Sequence, residues 1–263
     1  MQQTGTYAEM AFCVKLISLF GSLNKVVIIT TAEHRQIYEE IPTVCSVVVE
    51  ESLMQLTAIE QRELIESFHA DSFVSLSHNE TIADLVYNCR IPLRINAATD
   101  CYYSHLFNQM VLVDSSKRQA LIMDLLGFDQ LPERQAIKFA SKRKKDSVFT
   151  IFLAPSYDHY IIYKQLELLL YADNKIIWFG DCEKTALETT VLINETSNSR
   201  ELLDSLSLAN IVVCSEHDFS DFAGLVDVDI IHIDRVKACP ANYLDIIYNI
   251  FTQIVNYKNM ACV

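Results

Sequence analysis

Glycine is scarce in this chain, with five in 263 residues. Hairpin-rich all-β folds need residues that accept positive φ at their turns, so the shortage argues against them. Long apolar runs are missing too, since no window approaches the roughly 18 uninterrupted apolar residues of a membrane-spanning helix. The opening MQQTGTYAEM has no basic region followed by an apolar core. Neither a signal peptide nor an anchor is therefore expected, and the reading is of a soluble, cytoplasmic protein. CxxC pairs and His/Cys clusters at zinc spacing are absent: Cys13, Cys45, Cys89, Cys101, Cys182, Cys214, Cys239 and Cys262 are scattered. Reduced thiols, no disulfide and no structural metal are predicted. Cys45 and Cys214 fall inside strand-like runs, where a thiol behaves as a small hydrophobe of the core. Positive charge is short, 21 basic against 34 acidic residues for a formal charge of −13. Such a field repels nucleic acid and anionic membranes. No Walker loop, GxGxxG, GxSxG or HExxH occurs.

What the chain does contain is apolar material, 51% of its residues, arranged in alternating strand-like and helix-like segments. A helix comes first, over 8–20, with Met10, Cys13, Val14, Ile17 and Phe20 on one face, and no strand is read before it. KVVIIT (25–30) is a β-branched run of the kind buried on both faces of a parallel sheet. Helix follows over 32–41, stopped by Pro42; strand over 44–49; helix over 54–68, capped at Ser52; strand over 71–76; helix over 80–89; strands over 92–96 and 110–113; and helix over 118–126. The polar stretch 127–146 contains Pro132 and the basic run KFASKRKK (138–145), and the domain linker is placed here. A second series gives strands over 148–153, 175–179 and 191–193, with helices over 160–171 and 182–188. It continues through ELLDSLSLANIVVCSEHDFSDFAGLVDVDIIHID (201–234), a helix, a strand 211–214, a polar loop 215–220, a short helix over 222–225 and a strand 230–233. A final helix over 241–257 carries Ile246, Ile247, Ile250, Phe251 and Ile254 on one face. Alternation of this kind predicts an α/β protein built on parallel sheets. The expected division is a domain over 1–130, a basic linker over 131–147, and a domain over 148–263. In such sheets ligands meet the carboxyl ends of the strands, which singles out the loop holding Ser215, Glu216, His217 and Asp218.

Three stretches resemble glycosyltransferase family 9, the lipopolysaccharide heptosyltransferase-like enzymes. They are HADSFVSLSHNETIADLVYNCRIPLRINAAT (69–99), where Asn96 stands at a position usually glycine, the segment 102–126, and INETSNSRELLDSLSLANIVVCSEHD (193–218). The resemblance implies the GT-B architecture, two Rossmann-like doubly wound parallel-sheet domains facing a cleft, with the last helix returning to the first domain. It also implies sugar transfer from a nucleotide-diphosphate donor to a glycan or lipid-linked acceptor, with inversion, and with no cofactor or obligatory metal.

The departures from the family fall where its chemistry sits. The family opens with a strand and a glycine-aspartate loop whose aspartate acts as base. Here the strand is read as absent, the loop falls near Gly5 and Thr6, and Glu9 is the replacement carboxylate; the same position suits an ordinary exposed helix residue. The family's donor loop maps onto Glu216, His217, Asp218, Phe219 and Asp221, so aspartates replace its glycine and histidine. Glu216 suits a ribose hydroxyl or a helix cap equally. His217 suits a phosphate contact or a plain loop. Where the family has a phosphate-binding lysine after the first strand of the second domain, this chain offers Asp158, His159 and, a turn later, Lys164. Tyr102, Tyr103 and Tyr157 suit stacking on a sugar or ordinary packing. Three readings follow: a transferase of this type, an inactive relative kept as a binding or assembly subunit with a protein partner, or another doubly wound protein with no link to sugars, since fold does not fix function. None implies a nucleic-acid partner.

Overall fold

The computed structural model describes residues 2–3, 6–20, 25–76, 79–98, 104–112, 118–127, 139, 149–153, 174–179, 190–193, 198–214, 217–232, 248–250 and 252. The chain divides into two compact units, Met1–Ile137 and Lys138–Val263.

Unit 1 is a six-stranded sheet in the order β3-β2-β1-β4-β5-β6. Its strands are β1 (Gln2–Gln3), β2 (Val26–Thr30), β3 (Val44–Val49), β4 (Ser72–Ser75), β5 (Leu93–Ala98) and β6 (Gln109–Leu112). Each described pairing is parallel. Its helices are α1 (Tyr7–Phe20), α2 (Arg35–Glu39), α3 (Glu50–Met54), α4 (Ala58–Ser67), α5 (Glu80–Asn88) and α6 (Arg118–Leu125). Most of β2 is buried, as its β-branched run requires. One core gathers Ile29 and Val48 from the sheet with Leu53, Ile65, Ile82 and Leu85 from α3, α4 and α5. Burying each such side chain contributes roughly 1.5–3 kcal/mol.

Unit 2 is a five-stranded sheet in the order β11-β10-β7-β8-β9, again with parallel pairings throughout the described strands. Its strands are β7 (Phe149–Leu153), β8 (Asn174–Phe179), β9 (Thr190–Ile193), β10 (Ile211–Cys214) and β11 (Asp229–His232). α7 (Ser199–Leu208) leads into β10, and α8 (His217–Ala223) links β10 to β11. α7 is capped by Asn198, whose side chain accepts from the Glu201 N–H at 2.9 Å. Of the terminal apolar stripe Ile250 is described, and it is buried beside an exposed Tyr248.

Five sequence expectations are corrected. A first strand does exist: Gln2–Gln3 lies between β2 and β4 at the middle of the unit 1 sheet. Two glutamines carry no strand signature, and the ladders offered by β2 and β4 on either side override the weak local preference. Secondly, α1 buries Ala11, Phe12 and Leu16 besides the expected face, while Phe20 is half-buried. A helix apolar around most of its circumference is a buried one. Thirdly, the segment 50–67 holds two helices and not one. The cap is Thr57, which forms a reciprocal capping box with Glu60 and fixes a fresh helix start. Fourthly, Cys45 is exposed. The register passes from Val26↔Val44 to Val27↔Ser46, leaving Cys45 without a partner on β2 in a bulge of an edge strand. Lastly, α8 begins at His217 rather than near residue 222. Phe219 and Phe222, three residues apart, are both buried, and Phe219 stacks on Phe152 of β7 with ring centroids 5.8 Å apart. That packing extends the helix back towards β10. The helices expected over 160–171 and 182–188, and most of the 131–147 linker, lie outside the described residues.

Candidate functional site

In each unit the strand order reverses about its first strand, and at such a switch point the flanking loops diverge and leave a crevice at the carboxyl ends of the strands. In unit 2 the switch lies between β7 and β10, which pair in parallel with Val213 opposite Leu153. The two loops that the sequence singled out are the continuations of these strands. Ser215 and Glu216 follow β10, and the segment holding Asp158, His159 and Lys164 follows β7. The carboxyl ends of β7 and β10 are therefore neighbours at one edge of the sheet. Ser215, Glu216, Asp158, His159 and Lys164 themselves lie outside the described residues, as do Tyr102, Tyr103 and Tyr157. His217 and Asp218 are the first two residues of α8. Asp221 sits in the same helix, half-buried. Of the polar stretch read as a loop over 215–220, residues 217–220 are helix.

The adjacency of β7 and β10 is held at their amino ends by a two-way clasp. The Asn210 N–H donates to the Thr150 carbonyl at 2.8 Å. The Thr150 N–H donates to Asn210 Oδ1, also at 2.8 Å. Both residues are buried, where an unmade hydrogen bond costs more than at the surface.

In unit 1 the switch lies between β1 and β4. Glu9, the base expected from sequence, stands in the first turn of α1. Its carboxylate accepts from the Thr6 N–H at 3.2 Å, while the Glu9 N–H donates to Thr6 Oγ1 at 3.3 Å. This is a capping box, and it satisfies helix N–H groups that would otherwise be orphaned. Glu9 is therefore engaged in starting α1.

Another carboxylate was missed by the sequence reading. Glu50 is the first residue after β3, and it accepts a hydrogen bond from the Asn79 side-chain amide in the loop after β4. Asn79 is itself fixed as the N-cap of α5, accepting from the Ile82 N–H at 3.1 Å. Burial raises the Glu50 pKa above its ordinary value, and the neighbouring Glu51 raises it further, against the opposing bond from Asn79. Glu50 Oε2 is buried with no hydrogen-bond partner among the described residues. The sequence signal was present: two acids directly after the run VCSVVV put carboxylates at the carboxyl edge of the sheet. Among the described residues no group of His, Cys, Asp and Glu is arranged to hold a metal ion. No described helix is long and apolar enough to cross a membrane.

No protein-family model matches the chain, and no curated protein matches it. Solved structures do. A glycosyl transferase of family 9 from Veillonella parvula superposes with a TM-score of 0.64 at 9% identity, covering 88% of this chain and 78% of the other. The E. coli ADP-heptose lipopolysaccharide heptosyltransferase II gives 0.66 at 12% identity, over 88% and 82%. The E. coli heptosyltransferase WaaC, solved with ADP-2-deoxy-2-fluoro heptose, gives 0.60 at 13% identity, over 88% and 86%. Identities this low speak to architecture. The chain has the fold of the family 9, heptosyltransferase-like glycosyltransferases, with two Rossmann-like parallel sheets and a strongly diverged sequence.

Proposed function

We propose that this protein is a heptosyltransferase-like glycosyltransferase with a weakened donor site, moving a sugar from a nucleotide-diphosphate donor to a lipopolysaccharide-type or other lipid-linked glycan. The observation that carries the reading is the parallel pairing of β7 with β10, which sets the carboxyl ends of both strands side by side at the switch point of unit 2. In the similar structures the named donors are ADP-heptose and its fluoro analogue. In this reading Ser215, Glu216, His217 and Asp218, with Asp158, His159 and Lys164, hold the donor. Glu216 would accept hydrogen bonds from ribose hydroxyls, and His217 and Lys164 would face the diphosphate. Direct inverting displacement needs a base on the acceptor hydroxyl and stabilisation of the departing diphosphate, and no obligatory metal or cofactor. Glu9 is the base candidate nearest the family's position.

A second reading, an inactive homologue serving as a binding or assembly subunit for a protein partner, is favoured by the Thr6–Glu9 capping box and by the carboxylates of Asp218 and Asp221. Like charges about 4 Å apart cost on the order of 4 kcal/mol at an effective dielectric near 20, which is roughly a thousandfold in affinity. Calorimetry with ADP-heptose and a GDP-sugar separates the two. The expected result is binding weaker than micromolar by the unmodified protein, strengthened by the double variant Asp218→Gly, Asp221→His. Micromolar binding by the unmodified protein would show an intact donor site. No gain in the double variant would remove α8 from the donor site and leave the binding-subunit reading.

A further inference from the structure

We propose that the carboxyl end of β4 in unit 1 is a subsite for a hydrogen-bond-donating sugar group, a hydroxyl or an ammonium, and that it disfavours phosphorylated ligands. Calling that ligand the acceptor rests on the transferase reading, but the site stands on unit 1 alone.

The first observation is where Glu50 reaches. It leaves β3 at the edge of the sheet, with β2 and β1 lying between β3 and β4. Its carboxylate nevertheless bonds to Asn79, four residues beyond the end of β4. The charge is thereby carried past the ends of two strands to the flank of the switch point.

The second observation is Asn96, which is 2% exposed and whose Oδ1 has no hydrogen-bond partner among the described residues. Asn96 is in register with Ser75, Ser75 with Gln2, and Gln2 with Ile29. Residues in register on parallel neighbours project to the same face. Ile29 packs in the core with Leu53 of α3 and Ile82 and Leu85 of α5. Asn96 therefore projects to the α3–α5 side of the sheet, where Glu50 and Asn79 meet. Thr31, one residue past the Thr30↔Val49 rung, contributes a further buried oxygen without a partner among the described residues.

Buried polar atoms in native proteins are nearly always satisfied. Of the four orphans among the described residues Thr43 precedes β3, and the other three, Thr31, Glu50 and Asn96, lie towards the carboxyl side of the sheet and call for a ligand group. Their chemistry selects its class. Glu50 Oε2 and Asn96 Oδ1 can only accept, and Thr31 Oγ1 can accept or donate. The Asn79 amide is engaged at both its oxygen and its nitrogen, and the Ala32 N–H is taken by Glu51 at 3.2 Å. With carboxylates at both Glu50 and Glu51, an anion meets repulsion and a hydroxyl or ammonium meets acceptors. Glu50 Oε2 is shielded, so entry requires the start of α3 to yield. α3 spans five residues, and its N-cap Val49 provides no side-chain bond.

The test is calorimetry of the full chain with three probes: the glucosamine disaccharide, its di-N-acetyl form, and its 6-phosphate. The ammonium and neutral sugars are expected to bind, and the phosphate to bind about tenfold or more weaker. Glu50→Gln is expected to weaken the ammonium sugar by about tenfold, the scale of one hydrogen bond to a charged group. Asn96→Ala serves as the second variant if Glu50→Gln does not fold, and its melting temperature is measured alongside. Equal or tighter binding of the phosphate overturns the proposal. So does an unchanged affinity in either folded variant, or no binding of any probe, which would leave the orphans to ordered water. Sugar binding without donor binding would sink the transferase reading and leave this site standing.

Discussion

Asn210 and Thr150 hold each other across β7 and β10 by two hydrogen bonds of 2.8 Å, each using one residue's backbone N–H. The pair sits at the amino ends of the two strands whose carboxyl ends flank the unit 2 switch point. Asn210→Ala leaves the buried Thr150 N–H without its acceptor, and a loss of about 1–3 kcal/mol is expected. Chemical denaturation checks it; a loss under about 0.5 kcal/mol, the level of an ordinary surface substitution, would mean that the clasp is incidental.

Glu9 has two candidate roles that separate cleanly. As a capping residue it should behave like Thr6, so Thr6→Ala and Glu9→Ala should each lower stability by about 1 kcal/mol. As a base it should also control turnover: Glu9→Gln would cut donor cleavage by about a hundredfold or more while Thr6→Ala would not. Matching effects of the two variants on melting and on turnover are the expected outcome, given the reciprocal bonds between them.

His69 and Arg90 have positive φ, 50° and 56°. Each lies two residues beyond the end of its helix, α4 or α5, where a left-handed residue ends the helix and glycine is usual. Both are exposed. Removing Cβ relieves about 1–2 kcal/mol of crowding, offset in part by the unfolded-state entropy of glycine. His69→Gly and Arg90→Gly should each stabilise by about 0.5–1 kcal/mol, read as a rise in denaturation midpoint. A fall in midpoint for either would show that its side chain makes a contact worth more than the strain.

Glu50 should leave a mark on stability against pH. Its folded pKa is raised above 4.5 by burial and by Glu51. Between the unfolded and folded values the native state therefore binds more protons, and stability falls as pH rises through that window. In Glu50→Gln this downward limb should disappear. Urea midpoints taken at intervals upward from pH 4 would reveal it, and an identical pH profile in both proteins would assign the limb elsewhere.

Much of the fold was legible because its signals are local. Runs such as VVIIT and IVVC are continuously apolar, as buried parallel strands must be, and they match β2 and β10, while VCSVVV matches β3, an edge strand whose buried residue is Val48. Their alternation with helix-period segments, at low glycine, specified parallel sheets. Sequence could not show β1, since Gln2 and Gln3 become a strand only because β2 and β4 stand on either side. Nor could it show that Cys45 faces solvent, because a register shift against another strand turns it there. Phe219 and Phe222 draw α8 back to His217 by packing that includes Phe152, 67 residues before Phe219. The Thr6–Glu9 box was open to local reading, whereas the meeting of Glu50 with Asn79 was not. Those two residues leave different strands, and only the strand order and the crossing of α3 and α4 towards β4 bring a carboxylate from the sheet's edge to its switch point.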